Sequence, residues 1–285
     1  MEKALRKARE TLRAPRPPLP FHPSYDELLL KDRRRDSEID DRIRPKKRPL
    51  PSKLPPAAEK EVDAIFAKNG PIAKCAREAV NSTDISRMRP GQWLNDEIIN
   101  FYGAMILERS TGSKENHKGL GKLMKVHYFS TFFWPKLNEG YAKSKLNRWT
   151  KKIDIFSKDV ILIPVNHGNA HWTAAAINFR RKRIESYDSM GMKRANVLSM
   201  LRKYLELEHQ DKRKKPFDFT GWTDYVSDDT PQQENCYDCG VFTCQFLETL
   251  SRGEEDFAFT QKDMPYLRRR MVWEIGRASL MEQPS

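Results

Sequence analysis

The chain has no apolar run approaching the roughly 20 residues that a membrane-crossing helix needs. No stretch near its amino terminus has the apolar centre of a secretion signal. Cysteine is sparse: four in 285 residues, at positions 75, 236, 239 and 244, without the spacing of a disulfide framework. Such usage fits a reducing compartment, where thiols stay free. Cys236 and Cys239 have no second ligand pair at a spacing suited to zinc, so no metal is expected, and no cofactor either. There is no internal repeat, and no recognisable nucleic-acid motif accompanies the basic composition.

What is present falls into two parts. The formal charge is +13, and residues 1–50 hold 15 Lys and Arg against 9 Asp and Glu, so +6 sits in the leader and +7 in the rest. A basic surface suits nucleic acid or an acidic protein partner and does not choose between them. Ten of the eighteen prolines fall within the first 56 residues. Helical pieces are possible near 1–12 and 25–43, but neither has a wide apolar stripe. Residues 1–52 therefore read as a basic, Pro-rich leader, largely extended or disordered. Within it, Arg44-Pro-Lys-Lys-Arg48 resembles a nuclear import signal, which points to the nucleus. Residues 53–285 carry enough apolar side chains for one large domain.

Along that domain, spacing predicts a helix over 58–69 and a strong one running from Asn95 or Asp96, as cap, to about Glu108. Val126–Trp134 reads as a short strand leading into a turn or helix, and 141–152 as a helix. Period-two patterning then predicts three strands of an antiparallel meander, Val160–Val165, His171–Phe179 and Arg183–Tyr187. A basic helix over 194–209, a charged loop at Lys212–Lys215 and a last helix over 263–280 complete the pattern.

The richest chemistry lies in 231–250. Phe242, Phe246, Leu247 and Leu250 recur at helical spacing, with Gly253 as a stop and Asp238 as the expected N-cap. Cys239 then stands at the first helical position, where free N–H groups and the helix dipole favour a thiolate. Gln233, six residues upstream, can fold back to donate to an oxyanion together with the Cys239 N–H. His171 opens the second meander strand and Asp188 follows the third. A hairpin loop of two or four residues puts them diagonally on one sheet face, about 7–8 Å apart between backbones; an odd loop puts them on opposite faces. In the first case His171 deprotonates Cys239 and Asp188 orients the imidazole. His167 is a rival base on the preceding loop. Trp93 is either a hydrophobic staple before its helix or a wall of a binding groove.

With these residues in hand, the sequence resembles the SUMO-specific (sentrin-specific) branch of the ubiquitin-like-protein proteases. The motifs that carry this are Trp93-Leu94-Asn95-Asp96, Arg148-Trp149-Thr150-Lys151-Lys152, His171-Trp172, Tyr187-Asp188-Ser189, Gln232-Gln233…Asp238-Cys239-Gly240 and Met264-Pro265-Tyr266…Arg270-Met271-Val272-Trp273-Glu274-Ile275. They span about residues 58–280. The resemblance implies an α+β, papain-like cysteine protease fold. Its central, mostly antiparallel sheet is flanked by helices, and the nucleophile starts a core helix. It implies a triad of His171, Asp188 and Cys239, with Gln233 in the oxyanion hole. It puts Trp93 and Trp172 over and under a C-terminal Gly-Gly, a slot too narrow for a Cβ. Asp96 would touch a basic residue of the modifier. The expected function is cleavage after that Gly-Gly, both from target lysines and from precursors, with SUMO and SUMO-conjugated proteins as partners.

One departure is Cys236, where the family usually has glycine; if the position needs positive φ, a cysteine there is strained. Cys236 and Cys239 also raise a second reading, a dithiol oxidoreductase, which leaves His171, Asp188 and Gln233 without a job. A third alternative is a protease for another ubiquitin-like modifier.

Overall fold

The computed structural model describes residues 1–13, 24, 28, 31, 35, 49–112 and 124–281. The basic run Arg44–Arg48 and most of the helical piece expected over 25–43 lie outside the described residues. Met1–Arg48 and Pro49–Ser285 are separate compact units. In the first, helix α1 spans Glu2–Arg13, and residues 1–10 are exposed.

The second unit opens with α2 (Pro56–Ala67), whose first-turn proline needs no N–H donor. A hairpin of β1 (Pro71–Cys75) and β2 (Glu78–Asn81) follows. The sequence pattern missed this hairpin. Its turn contains Ala76 at φ 51°, so no Gly or Asn advertises the left-handed residue. Next comes α3 (Ser82–Ser86), closed by reciprocal bonds between Asn81 and Asp84. Then α4 (Asp96–Thr111) starts at Asn95, whose side chain accepts the Ile98 N–H at 3.3 Å; Asn95, not Asp96, is the cap.

The expected strand and helix appear as β3 (Val126–Tyr128) and α5 (Phe133–Glu139). The expected helix over 141–152 does not form: turns surround one 3-10 turn, Leu146–Arg148, with Lys145 left-handed at φ 52°. A buried carboxylate explains it. Glu208 accepts the Tyr141 hydroxyl at 2.5 Å and the Thr150 hydroxyl as well, fixing both ends of the segment to α6 (Ala195–Arg213). That helix runs four residues beyond the expected end at 209, takes in Lys212 and Arg213 of the expected charged loop, and stops at Lys214, left-handed at φ 59°.

The meander forms as β4 (Val160–His167), β5 (His171–Asn178) and β6 (Arg183–Tyr187), antiparallel throughout. Short β3 and β7 (Thr223–Tyr225, unforeseen) pair in parallel with β4 and β6 at the two edges, giving a mixed sheet in the order β3-β4-β5-β6-β7. Alternate residues serve two cores. Val160, Leu162, Ala174, Ala176 and Tyr187 face one that contains α4, α7 (Cys239–Ser251) and α8 (Met264–Arg277). Ile161, Ile163, Val165, Ala175, Ile177 and Ile184 face the other, with α5 and α6. Every residue of β5 and of α7 is buried. The sheet's central strand and the helix that begins with Cys239 are thus wholly enclosed, and α7 packs on β5. A site built on their ends inherits that rigidity.

Candidate active site

The site forms where β5 begins, β6 ends and α7 starts. Phe179 leaves the strand, so the β5–β6 connection holds four residues, 179–182, and the register sets Ala174 opposite Tyr187. One step further Asp188 stands opposite Thr173, diagonal to His171 and on its face. His171 Nε2 and Asp188 Oδ1 are 2.7 Å apart, both side chains almost fully buried. The other ring nitrogen, Nδ1, is buried and makes no hydrogen bond. The Cys239 sulfur lies close enough to the ring to favour its protonated form, though not at hydrogen-bonding geometry with Nδ1.

Burial alone would lower the His171 pKa. The bond to Asp188 and the interaction with Cys239 outweigh it and raise the value from 6.5 to about 9. Burial would raise Asp188, but bonds from His171, the Met190 N–H and Arg194 hold its carboxyl below the usual value. His167 has the opposite fate. Burial, then repulsion from Arg194 and His171, lowers it to about 4, and its Nε2 is engaged with the Thr173 hydroxyl at 2.9 Å. The two imidazoles lie nearly parallel with centroids 6.1 Å apart. Of the two, His171 is the one placed between a carboxylate and the thiol.

Asp238 does not cap α7 with its side chain, contrary to the sequence expectation. The N–H groups of Val241 and Phe242 reach its carbonyl oxygen, and its carboxylate turns away into a buried network. Oδ1 accepts from Arg268, while Oδ2 accepts from Asn235 at 2.7 Å and Gln261 at 2.8 Å. Arg268, 3% exposed, also donates to the carbonyls of Arg87, Arg89, Gln92 and Tyr237. One guanidinium thus ties α8 to the loop before the cysteine and to the turn before Trp93. Sequence reasoning assigned Arg268 no role, because a buried arginine inside an amphipathic helix reads as one more surface charge. Arg268 also lines a cavity of about 380 Å³ together with Phe66, Met88, Pro90 and Pro265.

Gln233 is held by Ser189: the Gln233 N–H donates to the Ser189 carbonyl at 2.8 Å, and the Ser189 hydroxyl donates to Oε1 at 2.6 Å. Its Nε2 donates one proton to the Asn235 carbonyl and retains a second. Trp172 is buried, and its indole N–H donates to the Leu94 carbonyl at 3.3 Å, tying the segment that bears Trp93 to the strand that bears His171. Trp93 itself is 39% exposed, whereas Cys239 is 1% exposed. Asp96 is half-buried in the first turn of α4, where a negative charge suits the helix start. Gly240 is needed at its position: a Cβ there would lie 2.7 Å from Leu94 Cβ. A glycine inside an otherwise apolar helix was the available signal.

Cys236 is exposed and its backbone is not in the positive-φ region, so the strain foreseen for a non-glycine residue is absent. Cys236 and Cys239 are both free thiols.

Residues 92–280 match the model of the Ulp1 protease family, C-terminal catalytic domain. The chain belongs to the Ulp1 protease family. A sentrin-specific protease of Caenorhabditis elegans is 42% identical over 232 residues, covering 80% of this chain and 32% of that protein. The chain spans about a third of the length of this relative and of the mouse sentrin-specific protease 2. Among solved structures, the Ulp1-like SUMO protease catalytic domain of Chaetomium thermophilum has a TM-score of 0.68 at 26% identity, covering 83% of this chain and 94% of that one. The C-terminal Ulp1 protease domain in complex with Smt3, the yeast ortholog of SUMO, has a TM-score of 0.66 at 26% identity and covers 79% and 96%. The mixed sheet flanked by helices is thus the Ulp1 protease fold, the α+β architecture that the motifs implied.

Proposed function

We propose that this chain is a cysteine isopeptidase that cleaves after the C-terminal Gly-Gly of SUMO-type modifiers, freeing them from target lysines and trimming their precursors. The observation that carries this reading is the imidazole of His171, bonded to Asp188 at 2.7 Å with the Cys239 sulfur beside it. The modifier class is supported by relatives named sentrin-specific proteases and by a similar structure solved with Smt3.

The reaction then runs in two halves. His171 Nδ1 takes the Cys239 proton, and the thiolate attacks the carbonyl carbon of the terminal glycine. The oxyanion that forms accepts from the Cys239 N–H, which lies outside the helical ladder, and from the remaining Gln233 Nε2 proton. As the C–N bond breaks, imidazolium returns its proton to the departing lysine amine. A thioester remains. Water, deprotonated by His171, attacks it and releases the modifier's carboxylate and the thiol. Asp188 keeps the ring in place and stabilises its charged form throughout. Trp93 and Trp172 wall the approach, and a thiol only 1% exposed favours a tail without side chains. Asp96 offers a carboxylate to a basic residue of the modifier. Nuclear or nuclear-envelope association belongs to the same proposal and is supported by the resemblance to sentrin-specific proteases together with the basic run Arg44–Arg48.

The test is a panel of C-terminal electrophilic probes built on SUMO, ubiquitin and other relatives. The SUMO probe should label wild type at Cys239, and Cys239→Ser should bind SUMO without being labelled or turning over. Preferential labelling by another modifier would reassign the substrate. Turnover by a pure Cys239→Ser preparation would remove the nucleophile.

A further inference from the structure

The carboxylate of Asp188 is held from two sides. Its Oδ1 accepts from His171 Nε2 at 2.7 Å and from the Met190 N–H at 2.8 Å. Its Oδ2 accepts from Arg194 Nε at 2.7 Å. Arg194 is the residue immediately before α6, and its side chain is 18% exposed, so this is a mostly buried, charge-assisted bond. Neither composition nor motif spacing marked Arg194, and the reaction steps above do not use it.

The bond does more than hold one side chain. Residues 188–194 form a loop that starts at the carboxylate and returns to it through Arg194. Inside the loop, the Gly191 N–H closes on the Asp188 carbonyl at 2.9 Å. Gly191 sits at φ 69°, where a Cβ would lie 2.8 Å from Gln232 Oε1. Ser189, also inside the loop, makes both bonds that fix Gln233. One arginine therefore staples a segment that carries the acid at one end and the support of the oxyanion donor at the next residue.

We propose that Arg194 is a positioning residue of this centre, clamping Asp188 from the side opposite His171 and fixing the loop that holds Gln233. The inference rests on the triad reading of the previous subsection. Its electrostatic consequence follows from who faces the imidazole: Asp188 from the end of β6, Cys239 from α7, His167 from β4, and Arg194 through Asp188. Arg194 is the cation of this set. It draws the carboxylate's charge toward itself and repels protons from His167. Without it the carboxylate keeps His171 and the Met190 N–H as its only donors among these contacts, with no cation competing for its charge. The imidazolium is then stabilised further, and the ring holds its proton to higher pH.

Three proteins decide the matter: wild type, Arg194→Met and Arg194→Lys, in the full chain. The His171 titration is followed by NMR of labelled histidine, and kcat and KM are measured against pH with a SUMO C-terminal substrate. Arg194→Met should move the His171 midpoint and the alkaline limb of kcat upward, on the order of half a unit. It should lower kcat roughly tenfold through misplaced groups, with KM little changed, because Arg194 does not touch the tail. Arg194→Lys keeps the charge and should return most of the midpoint shift. A His171 midpoint and limb unmoved in Arg194→Met would overturn the inference, whatever happens to stability. So would an equal loss in the Met and Lys variants with no pH signature, which marks a purely structural contact. The NMR midpoint is read without turnover. A wild type that fails to cleave SUMO therefore sinks the substrate reading and leaves the positioning role of Arg194 standing on its own measurement.

Discussion

His167 and His171 are the same side chain four residues apart, and they end with opposite proton affinities. His167 keeps a hydroxyl partner and faces Arg194 and His171, and its value falls to about 4. His171 gains Asp188 and Cys239, and its value rises to about 9. Replacing His171 by alanine should cost on the order of 10²–10⁴-fold in kcat/KM, whereas His167→Ala should cost less than tenfold. The rate should fall as pH rises through about 9, where His171 loses the proton it returns to the leaving amine. The linked stability has a definite sign. The folded-state value of His171 lies above the ordinary 6.5, so its contribution is complete below pH 6.5 and is lost as pH rises through about 9. His167 acts the other way, and its contribution disappears as pH falls from 6.5 through about 4. Denaturant midpoints of the two alanine variants between pH 4 and 9 measure both, and identical pH profiles for the two would contradict the assignment.

At the scale of elements, the start of α7 is set by what presses on it. Leu94 lies against Gly240 on one side, and its carbonyl accepts the Trp172 indole N–H on the other. A methyl group on residue 240 would sit 2.7 Å from Leu94 Cβ, so the helix start or the Trp93–Leu94 segment must move. Gly240→Ala should destabilise by about 1–3 kcal/mol. It should also slow cleavage by tenfold or more, because the nucleophile moves with the helix. A Leu94→Ala change in the same chain should recover part of both losses. Wild-type kinetics in Gly240→Ala would show that the approach is not needed. The pair of Arg268 and Asp238 belongs to the same scale. It is buried on both sides, and its worth lies in pinning the loop before Cys239; removing one partner alone exposes the usual penalty of about 3–5 kcal/mol.

Across the whole Pro49–Ser285 unit, the five-stranded mixed sheet separates two cores, and His171, Asp188 and Cys239 come together at one of its ends. Cys239 is 1% exposed while Trp93 is 39% exposed, and on the proposed reading a thin chain rather than a globular face reaches the thiol. A SUMO substrate ending in Gly-Ala should therefore be cut at least a hundredfold more slowly than one ending in Gly-Gly, the order of loss that misplacing the reacting carbonyl causes. Equal kcat/KM for the two tails, measured side by side, would remove the slot from the account. α6 begins at Ala195, just after the Arg194 that bonds Asp188, and runs 19 residues, roughly 28 Å at the usual helical rise, so its basic end Lys212–Arg213 lies about that far from its start.

Local pattern in the chain was enough for the three antiparallel strands and the helices α4, α7 and α8, and residue chemistry singled out Cys239, His171 and Asp188 as candidates. Each of these is written in local periodicity or in residue chemistry that has few other uses. The sequence alone did not determine that Phe179 leaves its strand, which makes the connection four residues long and brings His171 and Asp188 to one face; packing of Phe179 against Phe156 and Trp222 goes with that choice. Nor did it show that Asp238 abandons the helix N–H groups for Arg268, thirty residues on, or that Glu208 would hold 141–152 out of helical form. It held no sign of Arg194 beside Asp188. In all four the competing local preference is worth about 1 kcal/mol, while a buried carboxylate without a partner or a misplaced aromatic costs several. Only the folded chain brings the deciding partners together.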